Sequence, residues 1–192
     1  MSIKPVIVSI VVLALMGCAA AGVPYKNDPN QKLNQAYQLM NSEGRALPAE
    51  KLGLEALSQF GSQNNWYGVA ESQYFLGTFY KSKVYRSYKE FYVKHNEYDP
   101  TSRKSISHFK EAILAFEKDG DYWGVSKSTF AMGNAYATDN DLESACSNYR
   151  NALEIYHSDK NVFKGRVHPH NPTFESYDSM IESFIEAKCK NA

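Results

Sequence analysis

The chain has 192 residues and no net formal charge, because 21 Lys and Arg balance 21 Asp and Glu. This balance excludes a generally basic protein of the kind that binds nucleic acid or an anionic membrane surface. Aromatic residues make up 14% of the chain, well above what a disordered segment carries. Length and composition therefore predict one folded domain with a substantial hydrophobic core.

The N-terminal residues have the pattern of an export signal. Lys4 precedes an apolar run at 6–15 that only Ser9 interrupts. About ten apolar residues suit a signal-peptide core, whereas a membrane-spanning helix needs about twenty. The run ends in Leu15-Met16-Gly17-Cys18, which resembles the lipobox of bacterial lipoproteins.

The lipobox resemblance implies cleavage of a signal peptide at 1–17 and lipidation of Cys18. Ala19 follows the cysteine where an Asp would retain the protein at the inner membrane, so the resemblance implies an outer-membrane anchor with the body facing the periplasm. The alternative is an ordinary secretory peptide cut after residues 19–21. Residues 18–30 contain two prolines, one glycine and two asparagines, which predicts a flexible tether.

An internal repeat with an offset of 56 positions predicts the architecture. Residues 66–80 recur as residues 122–136, with small, aromatic and aliphatic residues matched in kind. The second copy then continues at the signature spacing of a tetratricopeptide repeat, with Gly133, Tyr136, Ala145, Tyr149 and Ala152. The sequence thus resembles the tetratricopeptide family, although His157 stands at the position of the closing proline.

This resemblance implies an all-α fold over 31–190. Antiparallel helical pairs would stack as a short solenoid, in which small residues let paired helices approach closely. About seven helices are expected, as three pairs and a C-terminal capping helix. Outside the repeated segments they are predicted at Gln31–Ser42, from Pro48, from Asp99-Pro100, and from Phe174 to Ile185.

The middle unit carries an insertion at about 81–103. Gly77 and Ala112 are 35 positions apart, whereas the matching Gly133 and Ala145 are 12 apart. Aromatic residues at three- and four-residue steps predict that the first helix of this unit continues to about His95. Residues 81–104 hold seven Lys and Arg against three Asp and Glu, a net charge of +4.

Two interpretations of the insertion stay open. It is either a partner-binding arm, or a segment whose aromatic residues pack inward while its lysines are solvated. Basic and aromatic residues together can also indicate a nucleic-acid site, but export argues against that partner. The arm hypothesis assigns partner contacts to Tyr85, Arg86, Tyr88 and Tyr92, and it counts Phe91 among the aromatic residues of the arm.

The family resemblance also implies a groove that binds protein segments. Relatives that clamp a C-terminal carboxylate use a lysine where Tyr74 and Phe130 stand here, so that clamp is not expected. An aromatic groove favours an apolar helix or an extended segment instead. Whether Tyr74 and Phe130 line this groove or belong to the core stays open. The remaining predicted groove contacts are Thr78, Lys81, Lys127 and Asn134.

The cysteines and histidines of the chain do not form a pattern that indicates an enzyme. Cys146 and Cys189 either form a disulfide in an oxidising compartment or remain as two thiols. His168 and His170, with His157, lack the spacing of a zinc site, and a solvated loop is the favoured interpretation. No catalytic or phosphate-binding motif occurs, so we expect no metal, no cofactor and no small-molecule substrate.

These features predict an interaction protein. The leading hypothesis is an outer-membrane-anchored lipoprotein that acts as an adaptor and binds protein partners in a periplasmic envelope assembly. The alternative is an immunity lipoprotein that neutralises a toxin delivered to the periplasm. Neither hypothesis includes a nucleic-acid partner.

Overall fold

The computed structural model describes residues 27–162 and 173–190, and the regular secondary structure of these residues is entirely helical. This confirms the predicted all-α class. The signal peptide at 1–17, the lipidation site Cys18 and the histidines His168 and His170 lie outside the described residues.

The described residues form nine helices, two more than the sequence predicts. Both additional helices lie in the insertion, which is composed of α4, α5 and the loop that follows. The helices are α1 (Pro29–Asn41), α2 (Ala46–Ser62), α3 (Trp66–Lys81), α4 (Lys83–Ser87), α5 (Lys89–Lys94), α6 (Arg103–Asp119), α7 (Tyr122–Thr138), α8 (Leu142–His157) and α9 (Tyr177–Lys188).

The first helix begins inside the segment predicted as a tether. Pro29 occupies the first turn of α1, where its missing N–H is not needed. The Asp28 side chain caps the helix by accepting the backbone N–H of Asn30 at 3.1 Å. The helix therefore begins two residues before Gln31, where the sequence predicts its start.

Helices that are neighbours in the body pack side by side in the order α1, α2, α3, α6, α7, α8, α9. Smaller contacts join α1 to α3 and α3 to α7. A Cβ added at Gly68 would lie 2.2 Å from the Phe60 ring, and one at Gly53 would lie 2.5 Å from the Phe75 ring. Because the end of α2 meets the start of α3 in this way, the two helices are antiparallel.

The offset of 56 residues recurs in the contacts of the body. Gly124 lies against Phe116 as Gly68 lies against Phe60, with the added Cβ only 2.3 Å from the ring. Asn65 and Asp121 both cap their helices by accepting a backbone N–H three residues ahead. The two repeated segments therefore share both a close helix crossing and the turn that leads into it.

A left-handed residue precedes each of three helix caps. Such backbone favours glycine or asparagine, and these are the residues found there. Their φ values are 53°, 81° and 61°, and the turns are Asn64-Asn65, Gly120-Asp121 and Asn140-Asp141. In each turn the backbone N–H of the capping residue also donates a hydrogen bond to a carbonyl of the preceding helix, which holds the two helices close together.

The prediction that α3 continues to about His95 is wrong. The helix ends at Lys81 because Ser82 adopts an extended conformation, with φ −70° and ψ 158°. The Ser82 hydroxyl accepts the backbone N–H of Tyr85 at 3.1 Å and so starts α4. A second break at Tyr88 separates α4 from α5. The insertion therefore folds against the body instead of extending from it.

The prediction that Asp99-Pro100 starts the next helix is also wrong, since α6 begins at Arg103. The Asp99 carboxylate instead accepts hydrogen bonds from the backbone and side chain of Thr101. Ser102, the residue before the helix, donates its N–H and its hydroxyl to the carboxylate of Asp139, which follows α7. This contact ties the end of the insertion to the next helical pair.

The last helix closes one end of the body. Phe130 of α7 lies 5.1 Å from Phe184 of α9, measured between ring centroids. Cys146 of α8 and Cys189, which follows α9, form a disulfide with their Cα atoms 5.7 Å apart. Of the two states that the sequence left open, the structure contains the bonded one.

Candidate functional site

The insertion contributes aromatic side chains to the core. Tyr85 and Tyr92 are 2% and 0% exposed, and their ring centroids lie 4.7 Å apart. The Tyr85 hydroxyl donates to the Glu97 carbonyl at 3.3 Å and accepts the N–H of Asp99 at 3.1 Å. The assignment of Tyr85 and Tyr92 as partner contacts is therefore wrong, because neither side chain reaches the surface.

The two other predicted arm residues differ in accessibility. Tyr88 packs partly buried against the same core cluster. Arg86 is exposed, and its Nη1 donates to the Lys81 carbonyl at 2.8 Å, where it caps the end of α3. Of the four predicted arm residues, Arg86 is therefore accessible, whereas the three tyrosines are buried or partly buried.

A carboxylate of α2 holds the insertion in place. The Tyr80 hydroxyl donates to Glu50 Oε1 at 2.6 Å, and the Tyr92 hydroxyl donates to Glu50 Oε2 at 2.7 Å. Burial, together with the bond to Glu50, raises the pKa of both tyrosines well above the usual range. Both phenols therefore stay protonated and remain donors. Glu50 joins α2, α3 and α5 through these two bonds.

An open cleft lies between α2 and the insertion, and we call it the insertion cleft. Its volume is about 720 Å³, and Glu50 lies in its wall. Leu54 and Phe91 also line it and are 44% and 38% exposed, so two large apolar side chains are accessible at the same cleft. Leu47 adds further apolar surface, and Lys104 lies at the same cleft. The insertion cleft thus combines accessible apolar groups with a fixed carboxylate.

His108 packs against Tyr80, one of the residues that line the insertion cleft. The His108 ring stacks on Tyr80 with a centroid distance of 5.2 Å, and its Nδ1 lies 2.6 Å from Gln73 Oε1. Burial, with a smaller effect of nearby Lys104, lowers the pKa of His108 to about 4. The imidazole is therefore neutral at pH 7 and acts as a packing group behind the Tyr80 ring.

The residues predicted to line the family's groove are brought together on α3 and α7. Lys127 Nζ lies 2.7 Å from Glu71 Oε1 and 4.3 Å from the centroid of the Tyr74 ring. Glu71 and Lys127 occupy equivalent positions of the two repeated segments, so this ion pair joins α3 of the first segment to α7 of the second. Burial is the main cause that raises the pKa of Tyr74 to about 12.

The remaining predicted groove residues have internal partners or are largely enclosed. Phe130 is 9% exposed and packs on α8 and α9, so the structure places it in the core. Asn134 accepts the Tyr149 hydroxyl at 2.9 Å. The Thr78 hydroxyl donates to the Tyr74 carbonyl at 3.0 Å. Burial, followed by repulsion from Arg86, lowers the pKa of Lys81 to about 8.

Sequence reasoning missed Glu50 and Leu54 as site residues, two of the α2 residues that line the insertion cleft. The helical periodicity of α2 places Leu54 outside the buried face of the helix, and this position was the signal in the sequence that its side chain is accessible. Glu50 carried no signal of its own, because its two partners lie 30 and 42 positions away in sequence.

Among residues 27–162 and 173–190, no group of three or more His, Cys, Asp or Glu side chains is placed to hold a metal ion. Over the same ranges, none of the helices combines the length and apolar character needed to cross a bilayer.

Comparison of the chain with protein-family models, with curated proteins and with solved structures finds no match in any of the three.

Proposed function

We propose that this chain is an interaction protein of the bacterial envelope that binds a segment of a protein partner in the insertion cleft. The observation that carries the proposal is the exposure of Leu54 and Phe91 together at one cleft of about 720 Å³. A partner segment that covered both side chains would remove their apolar surface from water, which favours association.

The fold-level part of the proposal is a short tetratricopeptide-type array with α9 as its cap. Two features recur at an offset of 56 residues and support it, namely the glycine–phenylalanine crossings and the capped turns. The ion pair of Glu71 and Lys127 also joins equivalent positions of the two repeated segments. Each unit of such an array buries its apolar face only against its neighbours, so the end needs a cap. Arrays of this type present surfaces for protein partners.

The location is proposed from the N-terminal sequence and from the disulfide. The lipobox-like Leu15-Met16-Gly17-Cys18 supports removal of a signal peptide and lipidation of Cys18. The Cys146–Cys189 disulfide supports export, since such bonds persist in oxidising compartments such as the periplasm. The body would then face the periplasm from an outer-membrane anchor.

The insertion cleft is a better candidate surface than the predicted groove between α3 and α7. A ligand at the groove would compete with the 2.7 Å ion pair of Lys127 and Glu71 and with the bond from Tyr149 to Asn134. Leu54 and Phe91 have no such internal polar competitor. A partner therefore gains apolar contact at the cleft without breaking existing bonds.

Site-specific photo-crosslinking in growing cells tests the proposal. A photoreactive amino acid replaces Leu54 in the full-length chain, and Leu142, which is 37% exposed at the start of α8, provides the matched control position. We expect a discrete protein adduct from position 54 and none from position 142. The same adduct at both positions, or none at either, would contradict binding at the cleft. Identification of the adduct separates an envelope-assembly component from a delivered toxin.

A further inference from the structure

Glu50 is the most unusual charged group at the insertion cleft. Both of its oxygens accept tyrosine hydroxyls, at 2.6 and 2.7 Å, and these donors are neutral. Within the described part of the chain, no Lys, Arg or His nitrogen lies within 4.0 Å of its carboxylate. The carboxylate is thus held in a fixed orientation as a negative charge without a cationic partner.

The neighbouring cations have other contacts. Lys51 lies 4.0 Å from Glu55, which also pairs with Lys32 at 2.6 Å. Lys104 donates to the Glu97 carbonyl and lies 5.0 Å from the centroid of the Tyr80 ring. With Glu55 paired to Lys32, the other charged groups that line the cleft are the carboxylates of Glu50 and Glu97 and the ammonium groups of Lys51 and Lys104.

A segment that covered Leu54 and Phe91 would also remove water from Glu50. Dehydrating a carboxylate costs several kcal/mol unless a cation or further donors replace the water. The apolar walls and the fixed carboxylate therefore suit the same occupant, one that brings its own positive charge. A purely apolar segment would leave Glu50 buried without a counter-charge, and an acidic segment would be repelled.

We infer that the insertion cleft binds a protein segment that presents a lysine or arginine between large apolar side chains. The cation pairs with Glu50, and the flanking side chains contact Leu54 and Phe91. This inference rests on the proposed interaction function and adds the chemistry of the partner. The tyrosines align both carboxylate oxygens, which favours the planar, two-pronged guanidinium of arginine.

Selection from a display library of random 12-residue peptides, with the lipidated full-length protein in detergent micelles as the target, tests the inference. We expect enrichment of peptides with Arg or Lys flanked by Leu, Ile, Phe or Trp. Selected peptides should lose affinity when Leu54→Ser is introduced and keep it when Leu142→Ser is introduced. Enrichment of acidic peptides, or of apolar peptides without a basic residue, would overturn the inference.

Measurement of the Kd of one selected arginine peptide then tests the pairing with Glu50 directly. Replacing the peptide arginine by neutral citrulline should weaken binding by about tenfold to a hundredfold, the usual loss for a hydrogen bond to a charged group. Glu50→Gln should give a similar loss, and the two changes together should not add, as expected for groups in direct contact. Glu154→Gln, at an exposed carboxylate of α8 away from the cleft, is the matched control and should leave the Kd within about twofold.

The citrulline comparison uses the unaltered protein, so it stands even if Glu50→Gln disturbs folding. Equal affinity of the arginine and citrulline peptides, or fully additive losses, would overturn the pairing. Peptides whose binding depends on Tyr74 of the predicted groove instead of Leu54 would overturn both the inference and the cleft as the binding surface, but not the role as an interaction protein. A library without binders, combined with no crosslink from position 54, would reject both the inference and the proposed function.

Discussion

Replacing Gly133 by leucine should destabilise the protein through one helix crossing. Gly133 lies on α7 where α8 comes closest. A Cβ built on this residue would stand 2.7 Å from the Tyr149 ring and 3.1 Å from the Ala145 carbonyl oxygen. The ring can shift only by straining its packing on α9, and the carbonyl is fixed in the backbone of α8. A leucine side chain therefore cannot be accommodated without separating the two helices.

The magnitude combines one stabilising effect with two destabilising ones. Leucine gains about 1 kcal/mol of intrinsic helix propensity over glycine. Overpacking costs about 1–3 kcal/mol, and displacement of Tyr149 would break its 2.9 Å bond to Asn134, which contributes about 1 kcal/mol. We expect a net loss of about 1–3 kcal/mol. For a chain of this size that is a decrease of about 2–12 °C in Tm.

Urea unfolding followed by far-UV circular dichroism measures the change, and Gly61→Ala provides a matched control. Gly61 also lies in a helix, but a Cβ there meets nothing within 4 Å. Gly61→Ala should therefore raise the free energy of unfolding by up to about 1 kcal/mol. Equal or greater stability of Gly133→Leu relative to the unaltered protein would refute the assigned crossing between α7 and α8.

The remaining predictions concern pH, redox state and the anchor. Because burial lowers the pKa of His108 to about 4, the unfolded chain binds the proton more tightly between pH 6.5 and 4, and stability falls as the pH decreases through this window. Between pH 7 and 5, the free energy of unfolding should fall by about 1–2 kcal/mol less in His108→Gln than in the unaltered protein, a value reduced for solvent screening. Urea titrations measure the difference, and equal pH profiles of the two proteins would contradict the lowered pKa of His108. Reduction of the Cys146–Cys189 disulfide, which spans 43 positions, should lower the unfolding free energy by about 4 kcal/mol, and non-reducing peptide mass spectrometry should recover the linked pair. Cys18→Ser should abolish acyl labelling and outer-membrane fractionation, and unchanged fractionation would contradict the lipoprotein hypothesis.

The sequence predicted the helices of the body because their signals are local. Apolar periodicity acts within one helix, and the repeat with an offset of 56 residues marks the equivalent helices along the chain. The breaks in the insertion were not predicted, since Tyr85, Tyr88 and Tyr92 have the same spacing in one long helix and in two short ones. Ser82 decides between these structures, and a serine can lie inside a helix as well as cap one.

The candidate site was less predictable because it depends on contacts between distant segments. The basic and aromatic composition of the insertion identified an unusual segment, but composition does not tell which face turns inward. The side chains of Tyr85 and Tyr92 are drawn into the core by hydrogen bonds to Glu97 and Glu50 and by contacts with other rings. The accessible apolar surface is contributed instead by Phe91 and by Leu54 of α2, on the opposite wall of the cleft.

The crossing between α3 and α6 is made by residues on either side of the insertion. The Ser105 hydroxyl donates to the Gly77 carbonyl at 2.7 Å, and Phe109 fills the space that a side chain at Gly77 would need. The scaffold thus closes without using the outer surface of the insertion. Substitutions on that surface would leave this crossing intact, so sequence change there can alter binding while Gly77, Ser105 and Phe109 preserve the capacity to fold.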